Sequence, residues 1–224
     1  MCGRFAFYSP SEATAALFGV NDALPVEARY NIAPTQYVAA IRNDGETGRQ
    51  LLMLRWGLVP FWAKDPSIGN RMINARAETV AEKPSFRAAY KQRRSLILAD
   101  GFYEWRKEGD GKTPYFISKA SAEPLAFAGL WESWHNKETG ETLQSTTIVT
   151  TAANDFMQQL HLRMPVIVEP ELADAWLQCD ERALPAAIEA MPRMQAWPVS
   201  RAVNNARNEG EQLLSPAGES LRQE

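Results

Sequence analysis

The sequence is poor in the residues that build metal centres and disulfide frameworks, with two cysteines and two histidines among 224 residues. A four-ligand structural zinc site would consume all of them, and neither Cys-x-x-Cys nor His-x-x-x-His occurs. No apolar run approaches the roughly 20 residues that a membrane-spanning helix needs. The start, Met1-Cys2-Gly3-Arg4-Phe5, lacks the hydrophobic stretch of a signal peptide. Gly3 also stands one place too far along for myristoylation. An excess of positive charge is missing too. Lys and Arg number 24 against 27 Asp and Glu, net −3, whereas proteins that coat duplex nucleic acid usually have isoelectric points above about 9. Gly-x-Ser-x-Gly, His-Glu-x-x-His and the dinucleotide fingerprint are all absent. Gly111-Lys112-Thr113 imitates the end of a phosphate-binding loop, but Arg106 stands where its first glycine belongs and Pro114 obstructs the helix. These absences lead us to expect a cytoplasmic protein with no metal, no cofactor and no membrane attachment, its cysteines reduced.

What is present is a chain with 45% hydrophobic residues, enough for one domain over residues 1–224 to bury a core without staples. Its charge is unevenly spread. Residues 1–112 carry 16 Lys and Arg against 12 Asp and Glu, whereas residues 113–224 carry 8 against 15. Eleven of the first half's cations are Arg, whose planar fork matches phosphate. Solvated faces and ion pairs also produce such an imbalance, so it points at most to a local anionic partner.

Along the chain, Ser9-Pro10-Ser11-Glu12 reads as a helix start, with Ser9 the cap and Glu12 closing a capping box, and the helix running to Gly19. Tyr37–Arg42 and Gln50–Trp56 are β-like runs around Asn43-Asp44-Gly45, a hairpin signal. Phe61 to Arg71 reads as a long loop. Further short strands are expected at 95–100, 102–106, 115–118, 125–131, 146–151 and 164–168, with Gly109-Asp110-Gly111 as a hairpin turn. Asn154 is placed to cap a short helix. Residues 171–178 and 184–191 have helical character, and 215–224 reads as a flexible polar tail. Many short strands with few helices predict an α+β fold, a single domain with a curved, mostly antiparallel, barrel-like β core and peripheral helices.

The chemistry concentrates at Cys2. With Met1 removed, the chain begins with an α-amine and a thiol on adjacent carbons, each with a reactive fraction near neutrality. An aldehyde meeting this pair forms an imine, which the thiol closes into a five-membered thiazolidine. The same cysteine could be an amidohydrolase nucleophile with its own amine as base, or simply a frayed second residue. His161, in Leu160-His161-Leu162-Arg163-Met164-Pro165, lies between a helix end and a strand, and His135 reads as an exposed hairpin tip. Glu104 is framed by Phe102, Tyr103 and Trp105. A carboxylate in aromatic surroundings titrates high and suits proton transfer near neutrality, although an exposed edge strand is an equally ordinary place for a Glu. In Asn74-Ala75-Arg76, an extended backbone sets an amide beside a guanidinium on one face, which suits a sugar hydroxyl, a phosphate or a buried hydrogen-bond network.

Together these residues resemble the SOS response-associated peptidase (SRAP) family, proteins that shield abasic sites in single-stranded DNA. The matching pieces are Met1-Cys2-Gly3-Arg4, Tyr30-Asn31-Ile32-Ala33-Pro34, Trp56-Gly57-Leu58-Val59-Pro60, Asn74-Ala75-Arg76-Ala77-Glu78-Thr79, Ala99-Asp100-Gly101-Phe102-Tyr103-Glu104-Trp105, Ile148-Val149-Thr150-Thr151-Ala152, His161-Leu162-Arg163-Met164-Pro165 and Val199-Ser200-Arg201-Ala202-Val203. They run in order along nearly the whole chain. The resemblance implies that a processed Cys2 supplies amine and thiol to an abasic aldehyde, forming a thiazolidine DNA–protein crosslink. It implies that Asn74 positions the amine and sugar, Glu104 shuttles protons, and His161 assists ring opening near the 3′ phosphate. It further implies that Arg4 and Arg76, with Arg163, hold flanking phosphates, that Phe61 or Trp62 stacks on bases, and that Pro34 and Thr150 line the pocket. The implied partner is single-stranded DNA containing abasic sites, the implied state a monomer, nucleoid-associated if bacterial, with self-directed removal of Met1 and lyase activity as accompaniments. Two other readings remain open: an N-terminal-nucleophile peptidase or amidohydrolase acting on other proteins, and a non-catalytic single-strand binder in which Cys2 is incidental.

Overall fold

The structure is a computed structural model and describes residues 2–45 and 48–223. The chain opens with β1 (Phe5–Phe7), α1 (Ser11–Leu17) and β2 (Arg29–Ile32), followed by the hairpin of β3 (Tyr37–Asp44) and β4 (Gly48–Trp56). A 3-10 turn over Pro66–Arg71 leads to β5 (Asn74–Arg76) and α2 (Arg87–Gln92). Then come β6 (Arg94–Ala99), β7 (Gly101–Glu108), β8 (Gly111–Lys119), β9 (Leu125–His135) and β10 (Thr142–Ala152). The last part holds α3 (Asp155–Gln158), β11 (Arg163–Pro165), α4 (Ala173–Leu177), α5 (Ala183–Glu189), β12 (Met194–Pro198) and β13 (Leu221–Arg222). No helix among the described residues is long and apolar enough to cross a membrane.

Strands β10, β4, β3, β6 and β9 form a closed five-stranded barrel, because β9 and β10 also pair with each other from Thr142↔His135 to Ile148↔Gly129. Only the β4–β10 contact in this ring is parallel. Closure removes the unpaired edges that an open sheet presents. Past the barrel rim β10 continues, pairing with β5 from Ile148↔Asn74 to Thr150↔Arg76 and with β11 from Thr150↔Pro165 to Ala152↔Arg163. A second sheet of order β13-β12-β8-β7-β1-β2 packs alongside. The α+β, barrel-like core expected from the sequence is therefore present.

The two sheets meet over aromatic side chains. Phe5, wholly buried on β1, lies edge-on to Trp56 at 5.1 Å and to Phe127 at 5.6 Å between ring centroids, and Phe102 approaches Phe127 at 6.0 Å. Edge-to-face contacts add roughly 0.5–1.5 kcal/mol each to the area they bury. The outer face of the second sheet is closed by a smaller cluster of Ala6, Tyr103, Phe116, Val199 and Val203.

Local signals and tertiary partners compete in three places. Ser9 does not cap α1: its amide and hydroxyl both go to the Asp100 carboxylate, which also accepts the Tyr8 amide at 2.6 Å. The Ser11 hydroxyl donates to Glu12 instead, so the expected capping box is replaced by a long-range carboxylate that satisfies more donors. The helix stops at Leu17, where Gly19 at φ 78° allows the Val20 amide to reach the Ala15 carbonyl and the Gly19 amide to reach that of Ala16, a Schellman end. In the first hairpin, Asn43 and Asp44 still pair with Arg49 and Gly48, so strand pairing runs past the Asn43-Asp44 signal; Glu46 and Thr47 lie outside the described residues. The segment from Ser215, expected as a flexible tail, carries β13, paired with β12 through Gln195↔Arg222 and Ala196↔Leu221. Asn154 caps α3 as expected, accepting from the Met157 amide at 2.9 Å, and Gly109-Asp110 turns β7 into β8 between Glu108 and Gly111.

Because Phe5 joins the two sheets, its truncation removes contacts from both. Phe5→Ala is expected to cost about 3–5 kcal/mol in urea unfolding, whereas Leu17→Ala, at an exposed position on α1, stays within about 0.5 kcal/mol.

Candidate active site around the N-terminal cysteine

Strand β1 delivers the N-terminal residues into the crevice between barrel and sheet. Phe5 pairs with Phe102 on β7 and with Ile32 on β2, and the Tyr103 amide donates to the Arg4 carbonyl at 2.9 Å, so residues 2–4 run beside Tyr103 and Glu104. Cys2 is 0% exposed. From the barrel side, β5 brings Asn74 across, and its Nδ2 donates to the Cys2 carbonyl at 2.8 Å. The Asn74 Oδ1 is buried without a hydrogen-bond partner among the described residues, an acceptor left for another donor. Orphaned acceptors of this kind are uncommon in folded interiors and mark places where a ligand can complete the bonding.

Glu104 is 4% exposed, inside β7 opposite Tyr115. Burial pushes its carboxyl above the ordinary range, partly offset by the nearby His161. The thiol of Cys2 is also pushed up, first by burial and then by the negative charge of Glu104, so it is held as S–H, pointing weakly at the Arg4 carbonyl. His161 sits in the loop before β11, its Nδ1 accepting from the Arg163 amide at 3.0 Å, which fixes the ring's orientation. Cys2, Asn74, Glu104 and His161, far apart in sequence, thus come together through β1, β5, β7 and the turn before β11.

The predicted anion-binding arginines differ in how free they are. Arg4 Nη1 donates to Asn31 Oδ1 at 2.7 Å and to the Val203 carbonyl at 2.8 Å, while its Nε is buried without a partner among the described residues. Arg163 forms a two-pronged pair with Glu78 at 2.5 and 3.0 Å and also donates to the Thr150 carbonyl at 2.7 Å. Arg76 is exposed at the end of β5, with Thr150 as its partner in the ladder. Thr150 is buried, and Pro34 stands half-buried in the β2–β3 turn just beyond Asn31.

Phe61 and Trp62 are exposed, at 59% and 49%, and belong to a groove of ≈ 1020 Å³ shared with Tyr37 and Trp134 rather than to the Cys2 cluster itself. Two features aim this loop. Gly57, at φ 121°, turns the chain after β4 so tightly that a Cβ would fall 2.5 Å from the Gly69 carbonyl oxygen. The Trp134 indole then donates to the Ala63 carbonyl at 2.7 Å. His135 is exposed at the end of β9, as expected.

Sequence reasoning missed two supporting residues. Asn31, wholly buried, accepts from Arg4 and donates to the carbonyls of Val203, Asn205 and Asn208, tying Arg4 to a strap of the C-terminal region. Glu78 holds Arg163. Both lie inside segments that stood out as motifs, but their partners are more than twenty residues away in sequence, and only the fold reveals them.

Comparison with known proteins matches residues 1–206 to the family described as SOS response associated peptidase (SRAP). The chain belongs to this family. It is 42% identical over 223 residues to the abasic site processing protein YoqW of Bacillus subtilis, covering 96% of this chain and 99% of that one. It is 34% identical over 229 residues to the abasic site processing protein YedK of Escherichia coli, covering 96% and 100%. In fold it resembles a crystal structure of a Bacteroides thetaiotaomicron protein, with TM-score 0.84 at 24% identity over 96% of this chain and 100% of that one. The SRAP match ends before Asn208, so one carbonyl that Asn31 holds lies beyond it.

Glu104 provides a pH signature. Its folded-state value lies above its ordinary value near 4.5, so the folded chain binds this proton more tightly than the unfolded chain. Stability from this group is therefore present below about pH 4.5 and is lost as pH rises towards the folded value. Glu104→Gln removes that loss: its advantage in Tm over the native chain should grow between pH 4 and pH 8. A difference that stays constant over that range contradicts the burial of an ionising carboxyl.

Proposed function

We propose that this chain captures abasic sites in single-stranded DNA through a covalent bond to Cys2. The observation that carries the proposal is the convergence of Asn74, Glu104 and His161 on the second residue of the chain, where the Cys2 and Glu104 side chains are buried. The names of the relatives, which are abasic site processing proteins, support it independently.

The chemistry starts with removal of Met1, for which the family's designation as a peptidase suggests a self-directed cleavage. The freed α-amine attacks the C1′ aldehyde of the ring-opened sugar, and loss of one water leaves an imine. The sulfur then adds to the imine carbon while its proton passes to nitrogen, giving a thiazolidine in which C1′ is bonded to both S and N. Because the thiol is held protonated, a base must take its proton as the C–S bond forms. Glu104, buried beside it and titrating high, accepts that proton and returns one to nitrogen. Asn74 anchors the backbone of residue 2 and offers its orphaned Oδ1 to the amine or a sugar hydroxyl. His161 assists opening of the sugar ring from the side of the 3′ phosphate. Arg4 and Arg76 hold the flanking phosphates; Arg163 contributes only by exchanging Glu78 for a phosphate. Phe61 and Trp62 stack against bases beside the site, and Pro34 and Thr150 border it. A lyase step, cleaving the strand from the imine, branches off wherever sulfur addition is slow.

Mixing the protein with an oligonucleotide that carries one abasic site should give a heat-stable shifted band, and the mass of the reacting chain should lack Met1. Cys2→Ala should give no band. Cys2→Ser should also give none, since a hydroxyl cannot close a stable thiazolidine; a stable adduct from Cys2→Ser sinks the mechanism. Glu104→Gln should slow crosslinking by about 100-fold or more while changing equilibrium affinity for the strand by much less. A parallel loss of rate and affinity contradicts the assignment of proton transfer to Glu104.

A further inference from the structure

A line of cations leads away from Arg76 and is not used by the chemistry at Cys2. The segment after β5 is a succession of hydrogen-bonded turns: the Thr79 amide donates to the Arg76 carbonyl at 3.1 Å, the Lys83 amide to that of Thr79 at 3.0 Å, and the Arg87 amide to that of Lys83 at 2.9 Å, after which α2 continues. Lys83, Arg87 and Lys91 therefore recur every four residues along this run of turns, with Arg87 and Lys91 one turn apart on the same face of α2. All three are exposed, as is Arg76. The opposite face is anchored, with Ala89 buried and Phe86 and Tyr90 packed against the core. The cations are thus presented outward from a fixed backbone.

Among the described residues none of these four is in an ion pair, although the pairs Arg93–Glu132 and Arg163–Glu78 form close by. Two exposed acids lie on the same stretch: Glu82, and Glu78, which is held by Arg163. In a chain of net −3, four exposed cations outside any ion pair among the described residues, against two acids of which one is committed to Arg163, are a local reversal of sign. A surface where cations outnumber acids in this way is complementary to a regularly charged polyanion.

We propose that Lys83, Arg87 and Lys91 extend the phosphate-binding surface begun by Arg76, and carry the backbone of single-stranded DNA on one side of the captured nucleotide. This rests on the function proposed above, since it assumes that nucleic acid is the partner. The track supplies affinity without reading sequence, because phosphate contacts position a strand and carry no base information. It also makes the footprint asymmetric: one flank of the strand follows the cations and the other does not.

The test is the salt dependence of binding to undamaged single-stranded oligonucleotides. Each phosphate contact contributes about 0.7 to the slope of log K against log salt, so Lys83→Ala/Arg87→Ala/Lys91→Ala should flatten the slope by about 2. Lys91→Gln alone should flatten it by about 0.7, which keeps the test available if the triple variant folds poorly. Lys83→Arg/Lys91→Arg should keep the native slope. Arg193→Ala/Arg222→Ala, which removes two exposed cations at the β12–β13 edge, should also leave it unchanged. With oligonucleotides that extend from the abasic position in only one direction, the triple variant should weaken binding to one polarity and spare the other. An unchanged slope in the triple variant, equal flattening in the β12–β13 control, or equal weakening for both polarities overturns the proposal. Crosslinking by the native chain, measured in parallel, separates this outcome from failure of the wider reading. A chain that crosslinks while its track variants keep the native slope has lost only the track.

Discussion

Everything at the site depends on the burial of Phe5 between Trp56 and Phe127. Chain termini usually fray because nothing offsets the entropy of ordering them. Here the third residue after Cys2 is locked between two sheets, and the strand around it is paired on both sides by β2 and β7. Cys2 itself is fully buried, with its carbonyl held by Asn74. In the reaction proposed above, an α-amine and a thiol held in this way would meet a bound aldehyde without first losing further entropy, which is the main advantage of an enclosed site over the same groups on a free peptide. The price is paid in stability, since the crevice must also hold a carboxyl, an imidazole and an amide oxygen without a partner among the described residues.

The electrostatics follow from the same enclosure. Burial raises both the Cys2 thiol and the Glu104 carboxyl. A carboxyl that titrates high beside a buried thiol is suited to proton transfer, because the raised value makes its ionised form a stronger base for the thiol proton as the C–S bond forms. The cationic groups are arranged around these two buried acids rather than between them. Arg4 is fixed by Asn31, Arg163 by Glu78, and Arg76 stands exposed at the rim. The net negative charge of the chain therefore says little about its partner. What matters is the sign of the field within a Debye length of the crevice, about 10 Å at moderate salt.

Much of this was legible in the sequence, for identifiable reasons. The β core was legible because short apolar runs and turn residues such as Gly109-Asp110 act locally. Cys2 could be named as a candidate because the chemistry proposed for it depends on its place in the chain, and the burial of Glu104 among aromatic neighbours follows from alternation along a strand. The supporting layer was not legible. Asn31 and Glu78 are defined by partners that the fold supplies, Arg4 with Val203 in one case and Arg163 in the other. The helix start was misassigned at Ser9 because Asp100, ninety-one residues away, satisfies its amide and hydroxyl together. The edge strand β13 escaped because two polar-flanked residues carry no periodicity to detect.

The most direct measurement of the central claim is the state of the Cys2 thiol in the adduct. After reaction with an abasic oligonucleotide, the N-terminal peptide is treated with a thiol-alkylating reagent and weighed by mass spectrometry. A thiazolidine has consumed both amine and thiol, so the peptide should carry the sugar remnant less one water and take up no alkyl group at Cys2. An adduct whose Cys2 is still alkylated, or a sugar attached elsewhere in the chain, contradicts the mechanism.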